Sequence, residues 1–149
     1  REYSAIVYGH MISGGLINEP LGRDPRDRVK QAVLSNGKDA LTHFRVIDRF
    51  KSHTHVKAIL ETGRTHQIRV HLSYIGHPLI GDLVYGGRVR FPKKASQDLK
   101  NALSNFHRHA LHSKKLSLAH PVTGKFMSWK ADLPDDMKEL LKTLRKFDS

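Results

Sequence analysis

Glu61-Thr62-Gly63-Arg64-Thr65-His66-Gln67-Ile68-Arg69-Val70-His71, followed by Gly76-His77-Pro78-Leu79-Ile80-Gly81-Asp82 and by Tyr85-Gly86-Gly87, crowds arginines, histidines and a glutamine into one corner of the chain. Val56 to Leu60, just before it, alternates weakly and predicts a strand. Gly63 ends that strand, and Thr65 is the expected cap of a helix running to about Gly76. Within the helix Ile68, Leu72 and Ile75 recur at i, i+4 and i+7 and form one buried stripe. Arg69 lies beside that stripe. A guanidinium so close to a core needs a carboxylate or a phosphate, because an unpaired buried charge is costly.

The segments on either side complete a fold class. Residues 3–8 read as a mostly buried strand ending at Gly9, with a turn at Gly14-Gly15 and Leu16-Ile17 pairing back. Asn18 to Lys30, with Pro20, Gly22, Pro25 and many charges, reads as an irregular loop. Asn36-Gly37 is a hairpin signal expected to join Ala32-Val33-Leu34 to the alternating stretch Ala40–Phe50. Ser96 is placed to cap a short helix with Leu99, Leu103 and Phe106 on one face. Strands are expected near 110–119 and 125–131 around the turn Pro121-Val122-Thr123-Gly124. A last helix begins near Pro134, with Asp135 and Asp136 at its positive end and Lys142, Arg145 and Lys146 near its negative end. Met137, Leu140, Leu141 and Leu144 form its buried face. Hairpins with helices set between them predict an α+β domain, with flanking helices on a largely antiparallel mixed sheet over residues 1–149.

Composition narrows the function. The 149 residues suffice for one core, and 38% hydrophobic with 27% charged residues suits a soluble globular domain. No apolar run is long enough to cross a membrane, and Arg1 opens on a strand-like stretch without a signal-peptide pattern or an initiator methionine, consistent with an internal start. There is no cysteine, so disulfides and thiolate metal sites are excluded. A net charge of +12 points to a polyanionic partner. The excess concentrates between Arg88 and Lys115, and Arg88, Arg90, Lys93, Lys94, Lys114 and Lys115 are the candidate contacts to an RNA backbone. Eleven histidines raise a metal reading, but His107, His109 and His112 sit among Arg108, Lys114 and Lys115 with no acid beside them, which disfavours a dication. Gly63-Arg64-Thr65-His66 lacks the glycine spacing and lysine of a nucleotide phosphate loop.

The run from Glu61 to Gly87 resembles the signature of the RluA/RluD-type pseudouridine synthases, which isomerise uridine to pseudouridine in RNA. The similarity extends in order along the chain: Arg1-Glu2-Tyr3-Ser4-Ala5 resembles the family strand that carries an aromatic against the target base, and His109-Ala110-Leu111-His112-Ser113 with His120-Pro121 resembles the last active-site strand. The resemblance implies the same α+β fold, with central strands supplied by an upstream part. It implies an aspartate nucleophile and no metal or nucleotide cofactor. That aspartate belongs to a His-Arg-Leu-Asp segment upstream of the tyrosine strand, and no such segment occurs in these residues. The chain is therefore expected to be the C-terminal part of a catalytic domain, inactive alone.

On this resemblance Arg69 is the arginine that pairs with the catalytic aspartate, Tyr3 the aromatic that stacks on the flipped uracil, and Leu111 an apolar wall of the base pocket. Arg64, Thr65 and Gln67, at the helix start, are expected to hold RNA phosphate or order the Arg69 loop. Asp82 with Tyr85-Gly86-Gly87 is expected to build a tight turn beneath the site. The expected substrate is structured RNA, 23S ribosomal RNA above all, met free or in a pre-ribosomal particle by a monomeric, cytoplasmic enzyme. A non-catalytic basic RNA-binding module is the alternative, and a histidine-metal nuclease a weaker third.

Overall fold

The computed structural model describes residues 1–119 and 121–149, with the side chains of residues 115–119, 126, 128 and 129 left aside. His120, part of the expected His120-Pro121 motif, lies outside the described residues. The strands are β1 (Glu2–Tyr8), β2 (Gly15–Asn18), β3 (Leu21–Arg23), β4 (Gln31–Val33), β5 (Leu41–Arg49), β6 (His53–Leu60), β7 (Leu111–Ala119) and β8 (Phe126–Lys130). The helices are α1 (Gln67–Tyr74), α2 (Gln97–Ser104) and α3 (Asp135–Phe147). Six strands form one antiparallel sheet in the order β2-β5-β6-β1-β7-β8, and β3 pairs with β4 in a separate ribbon. Within this chain the middle positions of the sheet belong to β6 and β1.

β1 owes its central place to its composition. Ala5, Ile6 and Val7 are fully buried, so both faces of the strand are covered. Ala5 and Val7 point to one face and pack with Val56, Ala58, Phe44 and the α1 residues Ile68 and Leu72. Ile6 and Tyr8 point to the other and pack with Leu99 and Leu103 of α2 and with Met137, Leu140, Leu141 and Leu144 of α3. The sheet is thus sandwiched between α1 and the α2–α3 pair. Only the α1 face carries Tyr3 and Leu111 among its packed side chains.

Local signals succeeded where the cap is local. The Ser96 hydroxyl accepts the Leu99 N–H at 3.1 Å, and α3 carries Asp135 and Asp136 in its first turn and Arg145 and Lys146 in its last. Thr65 is not the cap of α1. His66 holds that position with φ 54° and no side-chain cap, and the helix begins at Gln67. Gln67 instead orders the loop that leads into the helix: its Oε1 accepts from the Arg64 N–H at 3.0 Å and the Thr62 hydroxyl at 2.7 Å. At the other end Gly76 N–H bonds Ser73 O and His77 N–H bonds Leu72 O, a Schellman closure.

The expected hairpin across Asn36-Gly37 is also corrected. β5 has both edges occupied, by β2 and β6, so the segment before the turn pairs with β3 inside the stretch read as a loop. Gly37 lies flat on Leu21: a Cβ there would stand 2.6 Å from the Leu21 carbonyl carbon. Leu21 and Lys38 exchange backbone hydrogen bonds of 2.9 and 2.7 Å across this contact.

The α3 face buries several histidines. The Asp148 carboxylate accepts from Ser52 N–H at 2.9 Å and from His53 Nδ1 at 2.8 Å, latching the end of α3 to β6. His55 is 6% exposed, with Nε2 2.5 Å from the Ser4 hydroxyl. Burial, helped by Lys114 and Arg145 and opposed by Asp48, pushes its pKa from 6.5 down to about 4. Above pH 6.5 folded and unfolded chains are both neutral here, and stability is unaffected. Between 6.5 and 4 the unfolded chain takes up a proton that the fold refuses, so stability falls with pH, by up to about 3 kcal/mol. Urea unfolding across this window should show that fall, and His55→Gln should flatten it. A slope unchanged in the variant would assign the acid sensitivity to other groups.

Candidate active site

A cavity of about 400 Å³ opens where the start of β1, the end of β6, the start of β7 and the first turn of α1 meet. Arg1, Tyr3, Leu60, Gly63, Arg64, His66, Gln67, Ile68, Arg69, His109 and Leu111 line it. Sheet register explains two of them. On β1 and β7, Ala5 stands opposite Leu111 and Tyr3 opposite Ser113, so Tyr3 and Leu111 are diagonal neighbours on the α1 face. α1 then lays Ile68 and Arg69 over that face.

Arg69 finds its anion within the chain. Its Nε donates to Asp82 Oδ2 at 2.8 Å and its Nη2 to Asp82 Oδ1 at 3.0 Å, a two-bond fork on a carboxylate that is almost fully buried. Burial works against the charge on Asp82, but the bonds from Arg69 and from the Tyr85 N–H prevail and hold its carboxyl below the usual range. The bonds to Asp82 likewise raise Arg69 above its ordinary value, overcoming its own burial. Among the described residues the Nη1 of Arg69 has no partner, and no acid lines the cavity. Tyr85 supports the pair from below. Its ring centroid lies 4.9 Å from the Arg69 guanidinium carbon, its N–H donates to Asp82 Oδ1 at 3.2 Å, and its hydroxyl accepts from Gln31 N–H at 3.0 Å. The same hydroxyl sits 2.7 Å from His66 Nδ1, to which it can donate. The turn expected beneath the site is therefore also the socket of its arginine, with Gly81 and Gly87 at φ 82° and 75° shaping it.

Two cavity residues had been quoted in motifs without a role at the base. His66 and His109 are both pushed toward the neutral form, by burial first and by the nearby Arg69 charge, with Asp82 opposing. Their signal was their place in the matching segments. Position alone did not separate them from His71, which is fully buried and structural. His71 Nε2 donates to Glu19 O and its Nδ1 accepts from the Thr42 hydroxyl, both at 2.8 Å.

Gln67 is a correction to its candidacy as a substrate contact. Its Nε2 donates to Leu41 O at 2.9 Å and Thr42 Oγ1 at 3.0 Å, and its Oε1 accepts two bonds from the 62–64 loop. Both donors and both lone pairs are used, so nothing remains for a ligand. Arg64 lines the cavity and is anchored by Nε to Asp39 O at 2.8 Å. Thr65 is exposed and lines a neighbouring cavity.

The basic tract does not gather at this mouth. Arg90 lies over the Tyr8 ring at 5.5 Å and donates to Gly86 O at 3.1 Å. Tyr8 and Tyr3 are five steps apart on β1, roughly 17 Å at ~3.3 Å per residue. Arg88, Lys93 and Lys94 are exposed in the loops around Arg90. Lys114 follows His112 on the α3 face and bears on His55 there, while the Lys115 side chain is outside the described set. The histidine triplet diverges too: His107 is exposed, His109 lines the cavity, and His112 shares the α3 face with Ser4.

A family model described as RNA pseudouridylate synthase matches residues 1–74. The chain is 52% identical over 98% of its length to ribosomal large subunit pseudouridine synthase D of Vibrio vulnificus and 54% identical over 98% to that of Pseudomonas aeruginosa. It is 50% identical over 97% of its length to the Escherichia coli protein of the same name. It covers 45%, 46% and 44% of these proteins, so the chain spans about half the length of the curated relatives it matches. Among solved structures, human RNA pseudouridylate synthase domain containing 4 superposes with a TM-score of 0.71 at 26% identity, over 97% of this chain and 61% of that one. Human RNA pseudouridylate synthase domain containing 1 shares the fold at 23% identity, with a TM-score of 0.69 over 99% of this chain and 66% of that one. The fold is that of the pseudouridine synthase domains. Within that class the chain belongs to the RluA/RluD-type family.

Removing the socket should release the arginine. Asp82→Asn leaves Arg69 without its charge partner while keeping the side-chain shape, and the cost expected for breaking such a pair is about 3 kcal/mol. Urea unfolding of variant and parent measures it. A loss below about 0.5 kcal/mol would place the pair among ion pairs of surface strength.

Proposed function

We propose that this chain is the C-terminal part of a synthase catalytic domain that isomerises uridine to pseudouridine in 23S ribosomal RNA. The observation that carries this reading is the place of Arg69: one edge of its guanidinium is locked by Asp82, its Nη1 has no partner among the described residues, and the residue lines the same cavity as Tyr3 and Leu111. A cavity of about 400 Å³ falls within the range of ~300–1,000 Å³ common to small-ligand sites.

The reaction breaks the bond from uracil N1 to ribose C1′, turns the base, and joins C1′ to C5, from which a proton leaves. An aspartate, contributed by the part of the longer protein that this chain does not span, attacks the nucleotide. Arg69 holds that carboxylate charged and aimed, since a desolvated carboxylate alone drifts toward its neutral, inert form. Tyr3 offers its ring to the extruded uracil and recovers part of the cost of unstacking. Leu111, with Ile68, excludes water from the base. His66 and His109, held neutral, line the pocket without adding charge that would compete for the aspartate. The same reading places the enzyme in the cytoplasm as a monomer acting on ribosomal RNA or a pre-ribosomal particle, with no cofactor. Among the described residues no helix is long and apolar enough to cross a membrane.

The non-catalytic alternative rests on one observation, that no acid lines the cavity. Three measurements separate the readings. The 149-residue chain alone, incubated with 23S ribosomal RNA, is expected to give background pseudouridine; turnover would turn attention to Asp82. In the full-length enzyme, Arg69→Lys should slow single-turnover isomerisation by about 100-fold to 1000-fold with much less effect on RNA affinity, because a point charge cannot reproduce the planar fork. A near-normal rate would remove Arg69 from the site. Tyr3→Phe should be milder than Tyr3→Ala, since phenylalanine keeps the stacking face, and equal losses would count against stacking.

A further inference from the structure

Beside the active cavity lies a second one, of about 500 Å³, and Gly63 and Arg64 belong to the walls of both. Its remaining walls come from the β3–β4 ribbon and the turn at Asn36–Lys38. Arg23, Lys38 and Arg64 line it, and no acid does. Arg23 and Lys38 are exposed, and among the described residues neither side chain has a hydrogen-bond or ion-pair partner. Arg64 is fixed by its Nε bond to Asp39 O and belongs to the walls of both cavities; among the described residues its terminal nitrogens have no partner. Two acids flank these cations in sequence and neither is in the lining: Asp24, whose Oδ1 accepts the Arg26 N–H at 2.9 Å, and the exposed Asp39.

Gly22, Gly37 and Gly63 form part of this groove's wall. Their missing side chains leave room within the chain: a Cβ on Gly37 would meet the Leu21 backbone, and one on Gly63 the Arg1 guanidinium. The wall is firm, because Gly37 is pressed against Leu21 and the two-way bond between Leu21 and Lys38 fixes the turn. Three cations along a groove with no acid in its lining suit an anion, and Gly63 and Arg64, common to both cavities, put that groove next to the base cavity.

We infer that this groove seats the phosphates flanking the extruded uridine, with the strand passing over Gly63 and Arg64 and the next phosphate received by Arg23 and Lys38. The inference rests on the function proposed above and adds the path of the RNA. It moves the decisive backbone contacts from the Arg88–Lys94 loops, roughly 17 Å along β1 from Tyr3, to the β3–β4 ribbon.

The test uses the full-length enzyme and a short single-stranded RNA containing one target uridine. Neutral methylphosphonates are placed in turn at each phosphate around it. One position next to the uridine should weaken binding by wild-type enzyme about tenfold, the loss expected for a charge-assisted contact. R23Q/K38Q should itself bind about tenfold more weakly, and that methylphosphonate should then cost it nothing more. Its log–log salt slope should be shallower by about 0.7, the one phosphate that Arg23 and Lys38 receive. K138Q/K142Q on α3 removes the same charge and should leave slope and methylphosphonate pattern as in wild type. Wild-type affinity in R23Q/K38Q, or a methylphosphonate penalty that persists in it, overturns the groove. So does displacement of the RNA by inorganic phosphate at micromolar concentration, which would mark a site for the free ion. Pseudouridine assayed on the same RNA keeps the two readings apart: a variant that binds like wild type while wild type isomerises sinks only the groove, and binding without isomerisation by wild type sinks only the proposed reaction.

Discussion

The fork between Arg69 and Asp82 fixes more than one side chain. It joins α1 to the turn that follows it, brings the Tyr85 ring beneath the guanidinium, and through the Tyr85 hydroxyl reaches His66 and the backbone of β4. Each partner justifies the other's burial. A carboxylate that is 3% exposed stays charged because two donors of Arg69 and a backbone N–H face it. The arginine is aimed because a planar fork admits one orientation on a carboxylate, which a lysine would not enforce. The free Nη1 then has a direction set by packing rather than by the substrate, which is what preorganisation requires.

A second chain of polar groups does comparable work under the helix start. Gln67 donates to Thr42, Thr42 to His71, and His71 to the Glu19 carbonyl, so α1 is threaded to β5 and to the segment after β2 by side chains rather than backbone. Every group in that chain is satisfied, which makes it a stabilising network and not a buried debt. It also explains why the polar density of residues 61–71 is only partly functional. About half of these side chains hold the corner in place so that Arg69, Arg64 and His66 can face the cavity.

The sequence made some of this legible for reasons that are local. Ser96 lies three residues from the N–H it caps, and the buried faces of α2 and α3 repeat at helical spacing, so no long-range knowledge was needed. The demand of Arg69 for an anion could be read from its position beside Ile68 and Leu72; that Asp82 meets it could not, because the partner arrives through a turn. Thr65 had the right chemistry for a cap but lost the position to His66, since Gln67 reaches back over the same loop. Asn36-Gly37 does make a turn, yet its register is set by Leu21, in a stretch too short and too rich in proline and charge to read as a strand. The basic run after Tyr85-Gly86-Gly87 was conspicuous by count. The cations that line the neighbouring groove, Arg23, Lys38 and Arg64, are scattered along the sequence and meet only when the ribbon folds against the 63–65 loop.

β1 has a history written into its register. Tyr3 stands opposite Ala58 on one side and Ser113 on the other, so its partners emerge long after it during synthesis. At the usual pace of ~5–20 residues per second, β1 waits several seconds for its second neighbour. Until then Ala5, Ile6 and Val7, which end with no exposure at all, lack much of their final cover, and one edge of the strand is unpaired. Non-local pairing of this kind also slows folding, because loop closure comes before the contacts that reward it. Tyr3 is therefore among the first residues of this chain to be made and among the last to reach its working position.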